Sequence, residues 1–248
     1  MPQLEGRESL DETQNLFRDE VRKFFRRRLT PQLDAWERDR IVSREFWREC
    51  GDAGLLCPTV PEAYGGPGLD FRYNAIVTEE LAYAGSSASL PLQSDIIADY
   101  LVSYGSEEQK RTYLPWMVSG EAIAAIAMTE PDAGSDLKSI RTSARRDGNH
   151  YVISGSKCYI SSGKNADFVI VAAKTDPAKG AKGVSLILVP ADTPGFRKGR
   201  QHDKIGQHSA DTSELFFDEA RVPITNSLGE EGRGFIQIME QMPQERLS

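Results

Sequence analysis

The chain is poor in the residues that build metal centres and disulfide frameworks. Its 248 residues include only three cysteines (Cys50, Cys57, Cys158) and three histidines (His150, His202, His208). The cysteine spacings match no zinc or haem pattern, and an odd number suits a reducing compartment. Each histidine falls in polar, turn-rich sequence and reads as a surface residue, so no metal is predicted. No apolar run approaches the length that spans a bilayer. The N-terminal residues, rich in Glu, Asp and Gln, lack the pattern of a signal or transit peptide. The expectation is a soluble intracellular chain, in a bacterial cytoplasm with a mitochondrial matrix as the alternative. Positive charge is outnumbered, with 30 Lys and Arg against 37 Asp and Glu. A net charge of −7 excludes a typical nucleic-acid binder, whose surface must neutralise phosphates with surplus Lys and Arg. The run Arg26-Arg27-Arg28 is a local exception and reads as the solvated face of a helix.

What the chain does have is an ordinary supply of core residues. Apolar residues make up 39% and charged residues 27%, enough for two modest domains. Over residues 9 to 120 the apolar positions follow a helical period, as in Phe17, Val21, Phe24, Phe25 and Leu29. Ser9 with Glu12 has the form of a capping box, and Thr30-Pro31 is expected to end that helix. Ser43 can cap a short helix carrying Phe46, Trp47 and Cys50. Two further helices run up to Gly85 and Gly105 as expected stops, and Ser106 with Gln109 offers a second capping box. From Ala122 the pattern changes to short β-rich runs, "AIAAIAM", "HYVIS", "DFVIVAA", "VSLILV" and "SELFF", with a hairpin signal at Asp147-Gly148. Several runs are apolar on both faces, which suits a closed or layered antiparallel sheet. Near residue 233 the helical period returns through Phe235, Ile238, Met239 and Met242, and Pro243 should kink that helix. The predicted fold class is a multi-domain α and β protein. An N-terminal all-α helical domain spans 1–122, an antiparallel β-barrel domain spans 123–232, and a C-terminal helix opens at 233–248.

Within this frame "MTEPDAGSD", Met128 to Asp136, admits two readings. It is a turn after a buried strand, with Pro131 fixing φ, Gly134 allowing positive φ, and Asp132, Ser135 and Asp136 satisfying backbone groups. It is also an array of donors, from the Thr129 hydroxyl, the amides near Gly134 and Ser135, suited to anionic or carbonyl oxygens. "GSKCYISSGKNAD" could supply a second wall, with Tyr159 an aromatic plate two residues before Ser161; plain sheet packing is the alternative for Tyr159. "GEEGRGF" lacks the spacing and the βαβ context of a dinucleotide fingerprint. Glu245 and Arg246 read either as an exposed neighbour pair or as a base whose carboxylate Arg246 keeps ionised.

Taken together and in order, these motifs, with "KIGQHSADTSELFFDEARVP" and "SLGEEGRGFIQIMEQMPQERL", resemble the acyl-CoA dehydrogenase family, nearest its long-chain type. The resemblance implies a flavoenzyme that oxidises a fatty acyl-CoA thioester to its trans-2-enoyl-CoA with FAD. It also implies electron transfer to an electron-transfer flavoprotein, and a homo-oligomer, tetramer or dimer. By the same resemblance Met128, Thr129, Gly134, Ser135, Tyr159, Ile160 and Ser161 would hold FAD, with Tyr159 where the family often has Trp and Ser161 where Thr is common. Ser135 and Arg246 would contact the acyl-CoA. Glu245, opening a Glu-Arg-Leu signature, would be the catalytic base in a dry pocket that raises its pKa. The segment Gln207-His208-Ser209-Ala210 departs from the family's usual Arg and Ser. The family's C-terminal domain is missing from the sequence, so a truncated form of a longer enzyme is expected. Two alternatives keep parts of this reading: a related flavin monooxygenase or acyl-CoA oxidase, and a non-enzymatic binding module.

Overall fold

A computed structural model describes residues 10–247. The first part is helical: α1 (Glu12–Phe24), α2 (Leu33–Asp39), α3 (Arg44–Asp52), α4 (Phe71–Tyr83), α5 (Ala98–Tyr104) and α6 (Glu107–Ser119). Ser9 of the expected first capping box lies outside the described residues. The box that caps α1 pairs Asp11 with Gln14: the Asp11 carboxylate accepts from the Gln14 amide at 2.8 Å and the Gln14 side chain accepts from the Asp11 amide at 3.1 Å. The helical path does not end at Thr30-Pro31. A π turn over Phe25–Leu29 lets the Thr30 amide bond to the Phe25 carbonyl, and a 3₁₀ turn places Pro31 where no helical donor is required. The chain reverses instead at Arg40, whose φ of 59° is left-handed. The caps expected at Ser43 and at Ser106 with Gln109 are present. Gly85 closes α4 with φ of 72°, whereas Gly105 leaves α5 extended, with φ of −65°.

Seven strands follow: β1 (Ala124–Ala127), β2 (Ser143–Asp147), β3 (His150–Ser161), β4 (Phe168–Lys174), β5 (Val184–Pro190), β6 (Phe196–Gln201) and β7 (Thr212–Pro223). They form one curled sheet in the order β1-β4-β2-β3-β7-β6, with β5 on β4. The expected hairpin joins β2 to β3, with Asp147 opposite His150 and Gly148 at φ of 58°. The sheet is mixed where antiparallel neighbours were expected, because β1 and β2 both run parallel to β4. The reason is the segment between β1 and β2: "MTEPDAGSD" belongs to a crossover, which returns the chain in its original direction, and not to a hairpin.

The continuously apolar strands are buried on both faces. Phe168, Ile170, Ala172, Leu186 and Leu188 pack into the core shared with the helices. Val169, Val171, Ala173, Ile187 and Val189 fill a second core inside the curl. Two polar side chains fasten the helical layer to the sheet. Buried Gln93 donates to the carbonyls of Met117 (2.9 Å) and Ala122 (3.2 Å) and accepts from the Ala124 amide at 3.0 Å. Arg44 spans Asn165 O, Glu121 O and the Asp167 carboxylate at 2.7–3.0 Å. The last element, α7 (Gly234–Leu247), lies against β5 and α5 and remains helical on both sides of Pro243, which has no N–H to donate. No described helix is long and apolar enough to cross a membrane.

The turn after α6 is held by Gly120, whose φ is 73° and whose missing Cβ would fall 2.1 Å from the Trp47 carbonyl oxygen. Gly120→Ala is expected to destabilise the fold by more than about 1 kcal/mol, read as a lower urea midpoint with an unchanged m-value.

Candidate functional site

Past Ala127 the chain leaves β1 but stays on the sheet. The Thr129 carbonyl accepts the Cys158 amide at 3.0 Å, which brings the Met128-Thr129 segment against β3. At this point β3 carries a bulge: Lys157 pairs with Leu215 and Ile160 with Ser213, so Cys158 and Tyr159 together face Glu214. A bulge reverses the alternation of side chains. Tyr159, at φ of 58°, therefore points outward and is 65% exposed, and plain sheet packing does not describe it. Its ring stacks on His202, with centroids 4.5 Å apart and planes at 24°, and its amide donates to His202 Nε2 at 3.3 Å. His202 is thus half-buried and engaged, in contrast to its expected place on the open surface. Thr129 and Ser161 are both half-buried on this edge, and Ile160 between Tyr159 and Ser161 is buried.

A buried ion pair underlies the edge. Lys157 is 1% exposed; its ammonium donates to Glu130 Oε1 and to the Met128 carbonyl, both at 2.9 Å. Glu130 also accepts from the amides of Arg141 (2.6 Å) and Thr142 (3.0 Å), so one carboxylate ties both ends of the crossover. Burial drives the Lys157 pKa down to about 8 against the pull of Glu130. Burial also pushes Glu130 upward, but the Lys157 charge and the amide donors outweigh it and hold the carboxyl below its usual range. The sequence signal for this pair is a lysine flanked by the apolar positions of "VISGSKCYI", which a reading of hydroxyls and aromatics passes over.

The rim of the crossover is open. Pro131, Gly134 and Ser135 are exposed. Gly134 does not use a positive φ, as the turn reading expected; a Cβ there would meet no atom within 4 Å. Its own chain gives no reason for glycine. A groove of about 340 Å³ lined by Phe17, Val21, Phe24 and Leu55 lies on the helical part and includes no residue of this edge.

Glu245 lies on α7, and no hydrogen bond among the described residues links it to Thr129 or Ser161. Its Oε1 accepts the Tyr100 hydroxyl at 2.7 Å. Arg246 is exposed and is not its partner, because successive helix residues point about 100° apart. Met128 and, on α7, Phe235, Ile238 and Met242 nonetheless share the helix-side core.

Comparison with known proteins shows the family. Residues 11–121 match the acyl-CoA dehydrogenase N-terminal domain and residues 125–220 the acyl-CoA dehydrogenase middle domain. The chain belongs to the acyl-CoA dehydrogenase family. It is 46% identical over 236 residues to the mitochondrial long-chain specific acyl-CoA dehydrogenase of Sus scrofa, covering 94% of this chain and 55% of that protein. Among solved structures it is similar to an acyl-CoA dehydrogenase from Geobacillus kaustophilus (TM-score 0.94, 48% identity, 96% of this chain and 63% of that one). A glutaryl-CoA dehydrogenase from Mycobacterium smegmatis, solved in complex with FADH2, superposes with a TM-score of 0.87 at 32% identity, over 96% of this chain and 60% of that one. The chain spans about half the length of the curated relatives it matches.

Two further carboxylates shape the edge. Asp211, 5% exposed, accepts the amides of Lys164 and Asn165 at 2.8 Å each, and its carbonyl accepts the Ser162 amide at 2.7 Å, clamping the turn that follows Ser161. Glu37 on α2 accepts from the His208 amide (2.9 Å) and from the Ser209 amide (3.0 Å) and hydroxyl (2.6 Å). The segment Gln207 to Ala210 is therefore docked on the helical part by two backbone amides, which any side chains would supply, and by the Ser209 hydroxyl, which also meets the Ser87 hydroxyl at 2.7 Å.

Glu130→Gln leaves the Lys157 ammonium buried without its counter-charge and is expected to cost about 3–5 kcal/mol. Adding Lys157→Met should restore much of that loss, as urea unfolding will read. For Asp211, burial outweighs its amide donors and raises the pKa from 3.8 to about 6. A folded pKa above the unfolded one gives stability that is present below pH 4 and falls as pH rises through 6, by about 3 kcal/mol at most. Asp211→Asn should flatten the stability profile between pH 4 and 7.

Proposed function

We propose that the chain carries the FAD-facing and acyl-facing surfaces of a fatty acyl-CoA dehydrogenase. The observation that carries this reading is the edge where the half-buried Thr129 and Ser161 segments are drawn together beside the outward Tyr159 ring. The edge fits a flavin. A flat aromatic face stands ready for a flat ring, hydroxyls and amides stand ready for polar rim atoms, and the space beyond Gly134 admits a phosphate close to the backbone. Met128, Thr129, Gly134, Ser135, Tyr159, Ile160 and Ser161 would hold the cofactor, and Ser135 and Arg246 the acyl-CoA. When bound, FAD supplies the acceptor for the two electrons that leave the β-carbon as hydride.

The rest of the chemistry falls to the protein. The α-carbon of a thioester is acidic because its carbanion is delocalised into the carbonyl, so a carboxylate within reach can take the proton. Glu245 would be that base: its free oxygen breaks the α C–H bond, and the released pair closes the double bond as the β-hydride departs. Identity to a long-chain specific relative supports a fatty acyl substrate. An electron-transfer flavoprotein as acceptor and a homo-oligomeric assembly, dimer or tetramer, belong to the same proposal.

The test is anaerobic. Adding a long-chain acyl-CoA to the FAD-loaded protein should bleach its yellow absorbance within turnover time, and Glu245→Gln should slow bleaching by about 10²–10⁴-fold with flavin still bound. Failure of acyl-CoA thioesters of every chain length to reduce the bound flavin would overturn the proposal. Oxygen uptake without another acceptor would point to an oxidase.

A further inference from the structure

A tyrosine hydroxyl that has lost its water must find a partner inside the protein, and its choice is informative. Tyr100 is fully buried on α5, and its hydroxyl meets the Glu245 carboxylate 145 residues away, at 2.7 Å. We infer that Tyr100 is the positioning residue of the base: it pins one carboxylate oxygen and leaves the other aimed at the substrate. This inference rests on the reading of Glu245 as the base.

Three features carry it. First, Tyr100 is a permanent donor, since burial and then the neighbouring carboxylate push its phenol far above the ordinary tyrosine range. It cannot compete for the α-proton. Second, Glu245 Oε2 makes no hydrogen bond among the described residues, so the two oxygens are unequal. A carboxylate held at one oxygen cannot rotate that atom away, and less orientation is lost at the moment of proton transfer. Third, the α5–α7 seam has its own fasteners one turn along: Tyr104 donates to Glu240 at 2.8 Å and Gln241 to Ser103 at 3.2 Å. Holding the two helices together therefore does not require Tyr100 to select Glu245. Tyr104 offers a matched control, being the same chemistry on the same seam but bonded to Glu240 in place of the base.

The experiment compares Tyr100→Phe, Tyr104→Phe and Glu245→Gln in the FAD-loaded protein with a long-chain acyl-CoA. Tyr100→Phe is expected to lower kcat about tenfold, equivalent to about 1.4 kcal/mol, with KM within twofold. The α-deuterium isotope effect on kcat should rise, because proton removal has become slower. Tyr104→Phe should leave kcat and the isotope effect unchanged. Independently of turnover, the unfolding equilibria of Tyr100→Phe, Glu245→Gln and their double variant should depart from additivity by about fivefold or more. If Glu245→Gln turns over normally, the base assignment itself is wrong. If Glu245→Gln is inactive while Tyr100→Phe behaves like Tyr104→Phe, the base stands and the positioning role is overturned.

Discussion

A lysine ammonium deprived of water is tolerated only where other groups replace that water, and the Lys157 site does this with Glu130 and the Met128 carbonyl. The arrangement has consequences well beyond the pair. Glu130 Oε1 reaches both Lys157 on β3 and the Thr142 amide, and Oε2 reaches the Arg141 amide, where β2 is about to begin. The end of β1, the middle of β3 and the far end of the crossover are therefore referred to one carboxylate. Desolvation makes the contact costly to break, so the rim residues Pro131, Gly134 and Ser135 can be exposed without being loose in register. The bulge that turns Tyr159 outward begins at the next residue after Lys157, which makes the ion pair the fixed point from which the aromatic face is measured.

The two layers meet through a small number of long-range polar contacts, each satisfying backbone groups that would otherwise be stranded. Gln93 serves the end of α6 and the start of β1 together; Arg44 reaches the loop before β4; Glu37 receives the segment around Ser209. A layered protein needs such joints because helix ends and sheet edges leave unpaired amides and carbonyls wherever the two meet. The α7 helix is placed by a similar logic, its apolar face on the common core and its polar face against Tyr100 and Tyr104 of α5. Glu245 owes its position to that packing.

Much of this was legible in the residues. The caps at Ser43 and Ser106, the hairpin at Gly148 and the five apolar runs all produce the elements their local chemistry requires, because capping, turn closure and periodicity act within a few residues. The outward Tyr159 was legible only as an aromatic near a hydroxyl: its direction depends on a bulge, and a bulge is a relation between two strands that neither strand encodes alone. The helical path continues past Pro31 because a π turn over Phe25–Leu29 gives way to a 3₁₀ turn that opens with Thr30-Pro31, where the missing proline donor is not needed. His202 and Asp211 were missed for a common reason, since each gains its partner from a strand or turn more than 40 residues away.

The sequence by itself determined where helices begin, which strands are two-faced, and which hydroxyls, aromatic and carboxylate are available for chemistry. These follow from the side chain and its immediate neighbours. Tertiary structure alone decided that β1 and β2 run parallel to β4, that Lys157 is buried against Glu130, and that Glu245 faces Tyr100 and not Arg246. Those choices depend on which distant groups lose water together, and desolvation is a property of the assembled interior that no local stretch of chain can state.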